Sequence, residues 1–273
     1  MSIIKAENLS FTYNRGHSGP ALHELSFEIK EGEFAVFLGG SAAGKSTLAY
    51  MINALLPVQD GSLIVTGLDC ADESKRWDIR RRCGLLFQNF DDQFISTYAS
   101  EDLRYAARNF LDESADIEER VQEALKTVSM SGYADSTPQL LSYAMRQRLA
   151  LAALLSYDPE ILILDEPFSG LDAASATVLW NIIEKLRQKG KTIVLMAKDA
   201  EHTVFADRLF LMKAGRIIAQ GSPRDILPDR VLMGEANIKP PFTVKVYNDL
   251  QDAGVQLGHC PLTIEELVDE VCL

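Results

Sequence analysis

The feature that most constrains this chain is an apolar run broken off by a glycine loop. Phe34-Ala35-Val36-Phe37-Leu38 is continuously apolar, as a strand buried on both faces of a sheet must be. It leads into Gly39-Gly40-Ser41-Ala42-Ala43-Gly44-Lys45-Ser46, and Thr47-Leu48-Ala49-Tyr50-Met51-Ile52 then reads as helix. Strand, glycine loop and helix N-terminus in that order cradle phosphate, because backbone N–H groups and the helix dipole both face the anion. Lys45 is placed to reach the β- and γ-phosphates of a nucleoside triphosphate. Ser46 is placed to ligate Mg²⁺, which explains an oxygen on a short side chain directly after the lysine.

The second half of such a site is expected in Ile161-Leu162-Ile163-Leu164-Asp165-Glu166, a buried strand ending in adjacent carboxylates. Alternation along the strand would point them in different directions. Asp165 would support Mg²⁺ through water, and Glu166 would polarise the attacking water.

Around these segments the chain reads as α/β. Ile3 to Phe11 and Ala21 to Ile29 are strand-like, and the pattern turns helical from Asp112 to Gly132, with Ile117, Val121, Leu125 and Val128 at three- or four-residue intervals. A helix beyond Ser142 carries Leu149 to Leu155; Ala174 to Lys189 predicts another helix and Thr192 to Met196 another strand. After a hairpin-like Gly215 to Gly221, prolines at 223, 228, 240 and 241 mark a shift toward a small C-terminal appendage.

Composition excludes several classes. With 47% hydrophobic and 24% charged residues the chain has the make-up of a folded globular protein. Its longest purely apolar run, Leu149 to Leu155, falls far short of the ~20 residues of a membrane-spanning helix, so a membrane role must come through a partner. A net charge of -12 argues against nucleic acid as a ligand. Cys70, Cys83, Cys260 and Cys272 lack metal-ligand spacing, and with no cleavable signal before the first strand a reduced cytosolic setting is expected.

With these landmarks the sequence resembles the ABC ATPase family over about residues 3 to 222. Tyr13 in Phe11-Thr12-Tyr13 matches the aromatic that stacks on adenine. Gln88 in Leu86-Phe87-Gln88-Asn89 matches the glutamine that senses Mg²⁺ and the transmembrane partner. Leu141-Ser142-Tyr143-Ala144-Met145-Arg146-Gln147-Arg148 occupies the signature's place, and Ser169-Gly170-Leu171-Asp172 matches the loop that crosses between two ATPase subunits. The resemblance implies a P-loop ABC ATPase core at residues 1–222, a mixed sheet with an antiparallel β subdomain and a helical insert at about 90–157, plus a small helical appendage at 223–273. ATP and Mg²⁺ are the implied cofactors. ATP would lie on Tyr13, the loop from Gly39 through Gly40, Ser41, Ala42, Ala43 and Gly44 to Lys45 and Ser46, and Thr47. Ser46, Gln88 and Asp165 would serve the metal, and Glu166, Gln88 and Lys198 the chemistry. Ser142, Tyr143, Ala144 and Asp172 would face ATP on a second ATPase subunit.

A narrower resemblance to energy-coupling-factor ATPases rests on Phe87-Gln88-Asn89-Phe90-Asp91-Asp92-Gln93, where a proline usually stands at Phe90, on Ser100-Glu101-Asp102-Leu103, and on a tail with Pro241, Val246, Leu250, Gly254 and Pro261 to Leu267. It implies a peripheral subunit on the cytoplasmic face of a membrane, bound to a transmembrane scaffold and a substrate-capturing membrane subunit, energising import of vitamins or metal ions.

The sequence departs from the pattern at several positions. Ala42 and Ala43 replace the usual Gly-Ser, so a permissive backbone position carries a Cβ. Tyr143 and Ala144 stand where two glycines let a helix N-terminus touch the opposite γ-phosphate, so Tyr143 is expected to obstruct that approach. Lys198 stands where the family has its switch histidine, and a lysine is a flexible point donor with no acceptor. His202 is expected on the surface. Because these changes touch both composite sites of a dimer, two readings stay open: an importer ATPase working in a heterodimer, or a degenerate, weakly hydrolysing regulatory subunit beside an active sibling. A soluble ABC protein acting on ribosomes or DNA is disfavoured by the acidic charge and the lack of a tandem second domain.

Overall fold

The computed structural model describes residues 2–13, 19–112 and 114–272. The β strands are β1 (Ser2–Phe11), β2 (Leu22–Lys30), β3 (Phe34–Gly39), β4 (Asp60–Val65), β5 (Leu68–Asp69), β6 (Cys83–Leu86), β7 (Ile161–Asp165), β8 (Thr192–Ala197), β9 (Arg208–Lys213) and β10 (Arg216–Gly221). The α-helices are α1 (Lys45–Ile52), α2 (Arg76–Arg82), α3 (Ala99–Phe110), α4 (Ile117–Thr127), α5 (Tyr143–Leu155), α6 (Ala173–Gln188), α7 (Pro223–Ile226), α8 (Arg230–Ala236), α9 (Phe242–Asp252) and α10 (Ile264–Cys272).

The strands form two sheets, a four-stranded antiparallel one in the order β2-β1-β4-β5 and a six-stranded one in the order β10-β9-β3-β8-β7-β6. In the larger sheet β9, β3, β8, β7 and β6 run parallel, and only the edge strand β10 is antiparallel. The apolar runs of β3, β7 and β8 are explained by burial on both faces. Phe34, Val36, Leu38, Leu162, Leu164, Ile193 and Leu195 point into a cluster with the helical insert, whereas Ala35, Phe37, Ile161, Ile163, Val194 and Met196 point into a second cluster shared with the antiparallel sheet and α1. This two-sided burial fixes the C-terminal ends of β3 and β7 side by side with β8, which is where an open parallel sheet places its ligands.

The insert is the α3, α4 and α5 bundle. The helical reading of 112–132 corresponds to α4, whereas α3 lies inside the insert expected at about 90–157 without a helical reading of its own: its buried face mixes Ser100 and Asp102 with Leu103 and Ala107, so its overall hydropathy is low. Asp102 accepts from the N–H groups of Ile95 and Ser96 at 3.0 Å and anchors the segment before the helix. At the other end, α7 and α8 pack on β9, and Ile226, Met233, Val244 and Leu262 join the same cluster as the parallel sheet. No helix among the described residues is long and apolar enough to cross a membrane.

Candidate functional site

A cleft of about 510 Å³ lies over the C-terminal end of β3. Its walls are Tyr13, Gly19, Ala21, the loop from Ser41 to Thr47, Gln88, Glu166 and Lys198. The loop turns sharply because Gly44 takes φ 99°, and any Cβ there would sit 2.6 Å from the Ala21 carbonyl oxygen. Gly44 is also the N-cap of α1 and offers no side chain to its first N–H groups, which leaves those donors for an anion. Ala42 adopts φ 61°, so the Cβ expected to meet a permissive backbone does sit in the left-handed region. Ala43 is buried against Gly39, where an added Cβ would approach to 2.8 Å.

Lys45 is 4% exposed. Its ammonium donates to the carbonyls of Gly39 at 2.9 Å and Gly40 at 3.0 Å and lies 3.2 Å from Glu166 Oε1. Gln88 Nε2 donates to Glu166 Oε2 at 3.2 Å, and Lys198 Nζ stands 3.9 Å from the same oxygen. Glu166 thus gathers Lys45, Gln88 and Lys198 at the mouth of the glycine loop. Its divergence from Asp165 has a different origin from the expected strand alternation. β7 ends at Asp165, and Glu166 takes φ 46°, so a left-handed residue turns the second carboxylate into the cleft.

Asp165 is fully buried, and neither carboxylate oxygen finds a donor at hydrogen-bonding geometry. Burial raises its pKa; the neighbouring Ser46 hydroxyl and Lys45 offset part of that, while Glu166 adds to it. A buried carboxylate without partners is costly unless a cation satisfies it. Together with the Ser46 hydroxyl it is a hard oxygen pair suited to Mg²⁺, an ion that needs few protein ligands when phosphate and water supply the rest. The residues therefore fit the metal, and among the described residues no group of three or more His, Cys, Asp or Glu side chains competes for it. Tyr13 is 56% exposed at the rim, its hydroxyl 3.1 Å from Thr47 Oγ1, with ring surface open to stacking.

The residues expected to face a second subunit lie outside this cleft. Ser142 Oγ caps α5 by accepting from Met145 N–H at 3.3 Å. Tyr143 does not project freely: its ring packs on Phe90 at 4.9 Å and its hydroxyl donates to the Ser169 carbonyl at 3.4 Å. Ala144 follows in the first turn, half-buried. Arg146 makes a forked pair with Asp91 at 2.7 and 3.3 Å, so this whole corner is braced against the segment after Gln88. Asp172 caps α6, accepting from Ser175 N–H at 2.7 Å, and that bond holds its carboxyl below the usual range. His202 is not the surface residue expected. It stacks flat on Phe168 at 3.7 Å beside Trp180, and burial lowers its pKa. Ser169 is expected from sequence only as the start of the crossing loop; its contact with Lys198 at 3.0 Å is not foreseen by residue type or spacing.

Comparison with known proteins narrows the choice. A family described as ABC transporter matches residues 22–169. The energy-coupling factor transporter ATP-binding protein EcfA1 of Clostridium novyi is 37% identical over 274 residues, spanning 99% of this chain and 98% of the relative. The solved structure of cbiO1 from Clostridium perfringens, described as part of the ABC transporter complex cbiONQ, is similar with a TM-score of 0.76 at 30% identity, covering 86% of this chain and 94% of its own. A dimeric ATP-binding cassette in a post-hydrolysis state with ADP and Pi is similar with a TM-score of 0.74 at 28% identity, over 81% of this chain and 99% of its own.

Proposed function

The chain belongs to the ABC transporter family as an energy-coupling factor transporter ATP-binding protein, and from that premise we propose that it hydrolyses Mg·ATP to energise import of vitamins or metal ions. The observation that carries the reading is the convergence of Lys45, Gln88 and Lys198 on Glu166 at the glycine loop.

In this reading Tyr13 stacks on adenine, and the N–H groups from Gly40 to Thr47 with Lys45 hold the phosphate chain. Glu166 accepts a proton from the attacking water as it approaches the γ-phosphorus, with Gln88 orienting the carboxylate. Lys198 adds positive charge where negative charge builds in the transition state. Mg²⁺, held by Ser46 and Asp165, would supply charge neutralisation at the phosphate oxygens.

We read residues 1–222 as the ATPase domain and 223–273 as an appendage. The chain works peripherally on the cytoplasmic face, through a transmembrane scaffold and a substrate-capturing subunit. Its partner in ATP binding is a second, related ATPase. The alternative, a regulatory subunit that hydrolyses little, draws on Tyr143 and Lys198. Steady-state ATPase of the purified complex decides between them. Glu166→Gln is expected to lower turnover at least about 100-fold while ATP binding persists. Wild-type turnover in that variant would remove Glu166 from the chemistry.

A further inference from the structure

Ser169 does not line the nucleotide cleft, yet every polar group it owns is engaged around the reacting end of it. Its N–H donates to the Glu166 carbonyl at 3.0 Å, which closes a turn directly behind the carboxylate. Its hydroxyl accepts from Lys198 Nζ at 3.0 Å, and its carbonyl accepts from the Tyr143 hydroxyl at 3.4 Å. The residue is half-buried and is followed by Gly170 at φ 80°, a left-handed turn that favours glycine and lies against the Tyr143 ring.

The physical problem solved here belongs to Lys198. A lysine carries a point charge on a four-carbon stem, and an exposed ammonium samples many rotamers unless something fixes it. The Lys198 side chain is 46% exposed and lies 3.9 Å from Glu166 Oε2, too far for a hydrogen bond to hold it there. The shorter bond to Ser169 Oγ is the contact that selects the rotamer.

We propose that Ser169 is a positioning residue for ATP hydrolysis: it holds the Lys198 ammonium on the Glu166 side of the cleft, and Tyr143 braces Ser169 from behind. Tyr143 packs on Phe90 at 4.9 Å, so the brace reaches the segment that carries Gln88. The proposal rests on the reading that Glu166 and Lys198 take part in hydrolysis. Because Ser169 is outside the nucleotide cleft, its loss should appear in kcat and not in KM for ATP.

The test uses the purified transporter complex and steady-state ATPase rates over a range of ATP concentrations. Ser169→Ala is expected to lower kcat about 5- to 10-fold, the scale of one hydrogen bond to a charged group, with KM within about twofold of wild type. Ser169→Thr, which restores the hydroxyl, should recover most of the rate. In a Lys198→Met background Ser169→Ala should cost nothing further, because the group it positions is gone. Where Ser169→Ala yields no intact complex, Tyr143→Phe, which deletes only the bond to the Ser169 carbonyl, should lower kcat about 2- to 3-fold. Unchanged kcat, equal losses in the alanine and threonine variants, or independent losses in the double variant would overturn the proposal. Glu166→Gln separates the two levels of argument. If it is inactive while Ser169→Ala is as fast as wild type, only the positioning role falls; if Glu166→Gln is itself as fast as wild type, both fall.

Discussion

The glycine-loop wall and the corner around Tyr143 are built on different principles. The wall is buried and strained. Lys45 and Asp165 are nearly or fully excluded from solvent, and the left-handed residues Ala42 and Glu166 carry side chains. The corner is exposed and relaxed, its left-handed residue is Gly170, and its Tyr143 and Ser169 hold each other and reach Lys198 on the wall. Strained and unpartnered groups persist where a ligand compensates for them, so the contrast supports the proposal that the wall does the binding. In the proposed reading the corner adjusts how fast the bound nucleotide reacts.

The largest expected effect tests the wall. Lys45→Ala should weaken ATP binding by about 100-fold or more by calorimetry, since it removes a buried charge from the phosphates and takes from Glu166 its nearest cation. Equal affinity in the two proteins would end the assignment of the loop.

The next tests the corner. If Tyr143 and Lys198 impair the sites they enter, a homodimer would combine both changes in each site, whereas a related ATPase with a glycine-rich signature and a switch histidine would share them out. Native mass spectrometry of the complex should therefore find two different ATPase chains. A reconstituted homodimer should hydrolyse at least about tenfold more slowly than the native pair, the scale of losing one transition-state donor. A native homodimer with the higher rate would show that the substitutions do no harm.

The two regions also differed in how far the sequence alone revealed them. The wall was legible because its parts are local: a strand that must be apolar on both faces, a glycine loop and a helix start lie within residues 34–52. The corner was legible in its motifs but not in its contacts. Tyr143 is expected to obstruct a partner, and it also packs against Phe90 and Ser169 within its own chain. That packing joins residues far apart in the chain, which no spacing rule encodes. Short or polar elements were missed for similar reasons. β6 is four residues with a glycine, and α3 buries Ser100 and Asp102, so their places depend on the neighbours they pair with.

His202 lies between the two regions and gives a smaller, pH-dependent effect. Burial against Phe168 lowers its pKa below 6.5, so the unfolded chain binds the proton more readily than the native one. Stability from this group is intact above about pH 6.5 and is lost as pH falls from there toward the lowered value. Urea unfolding at pH 7.5 and 5.5 should show a drop in midpoint for wild type that is smaller in His202→Gln. The same drop in both proteins would mean that the ring is not held neutral by its surroundings.

The smallest effect sharpens the claim that the wall stores strain. Ala42 at φ 61° carries a Cβ in a conformation that costs roughly 1–2 kcal/mol for residues other than glycine. Ala42→Gly removes that cost but gives the unfolded chain more freedom, a penalty of about 0.4–1 kcal/mol. The balance favours the variant by about 0.5–1 kcal/mol, measurable as a higher urea midpoint with an unchanged slope. The corner offers the control, because Gly170→Ala at φ 80° should move the midpoint the opposite way. A destabilised Ala42→Gly protein would show that the loop gains more from the alanine's packing than it loses to its backbone, and the proposed division between a strained wall and a relaxed corner would then rest on Glu166 alone.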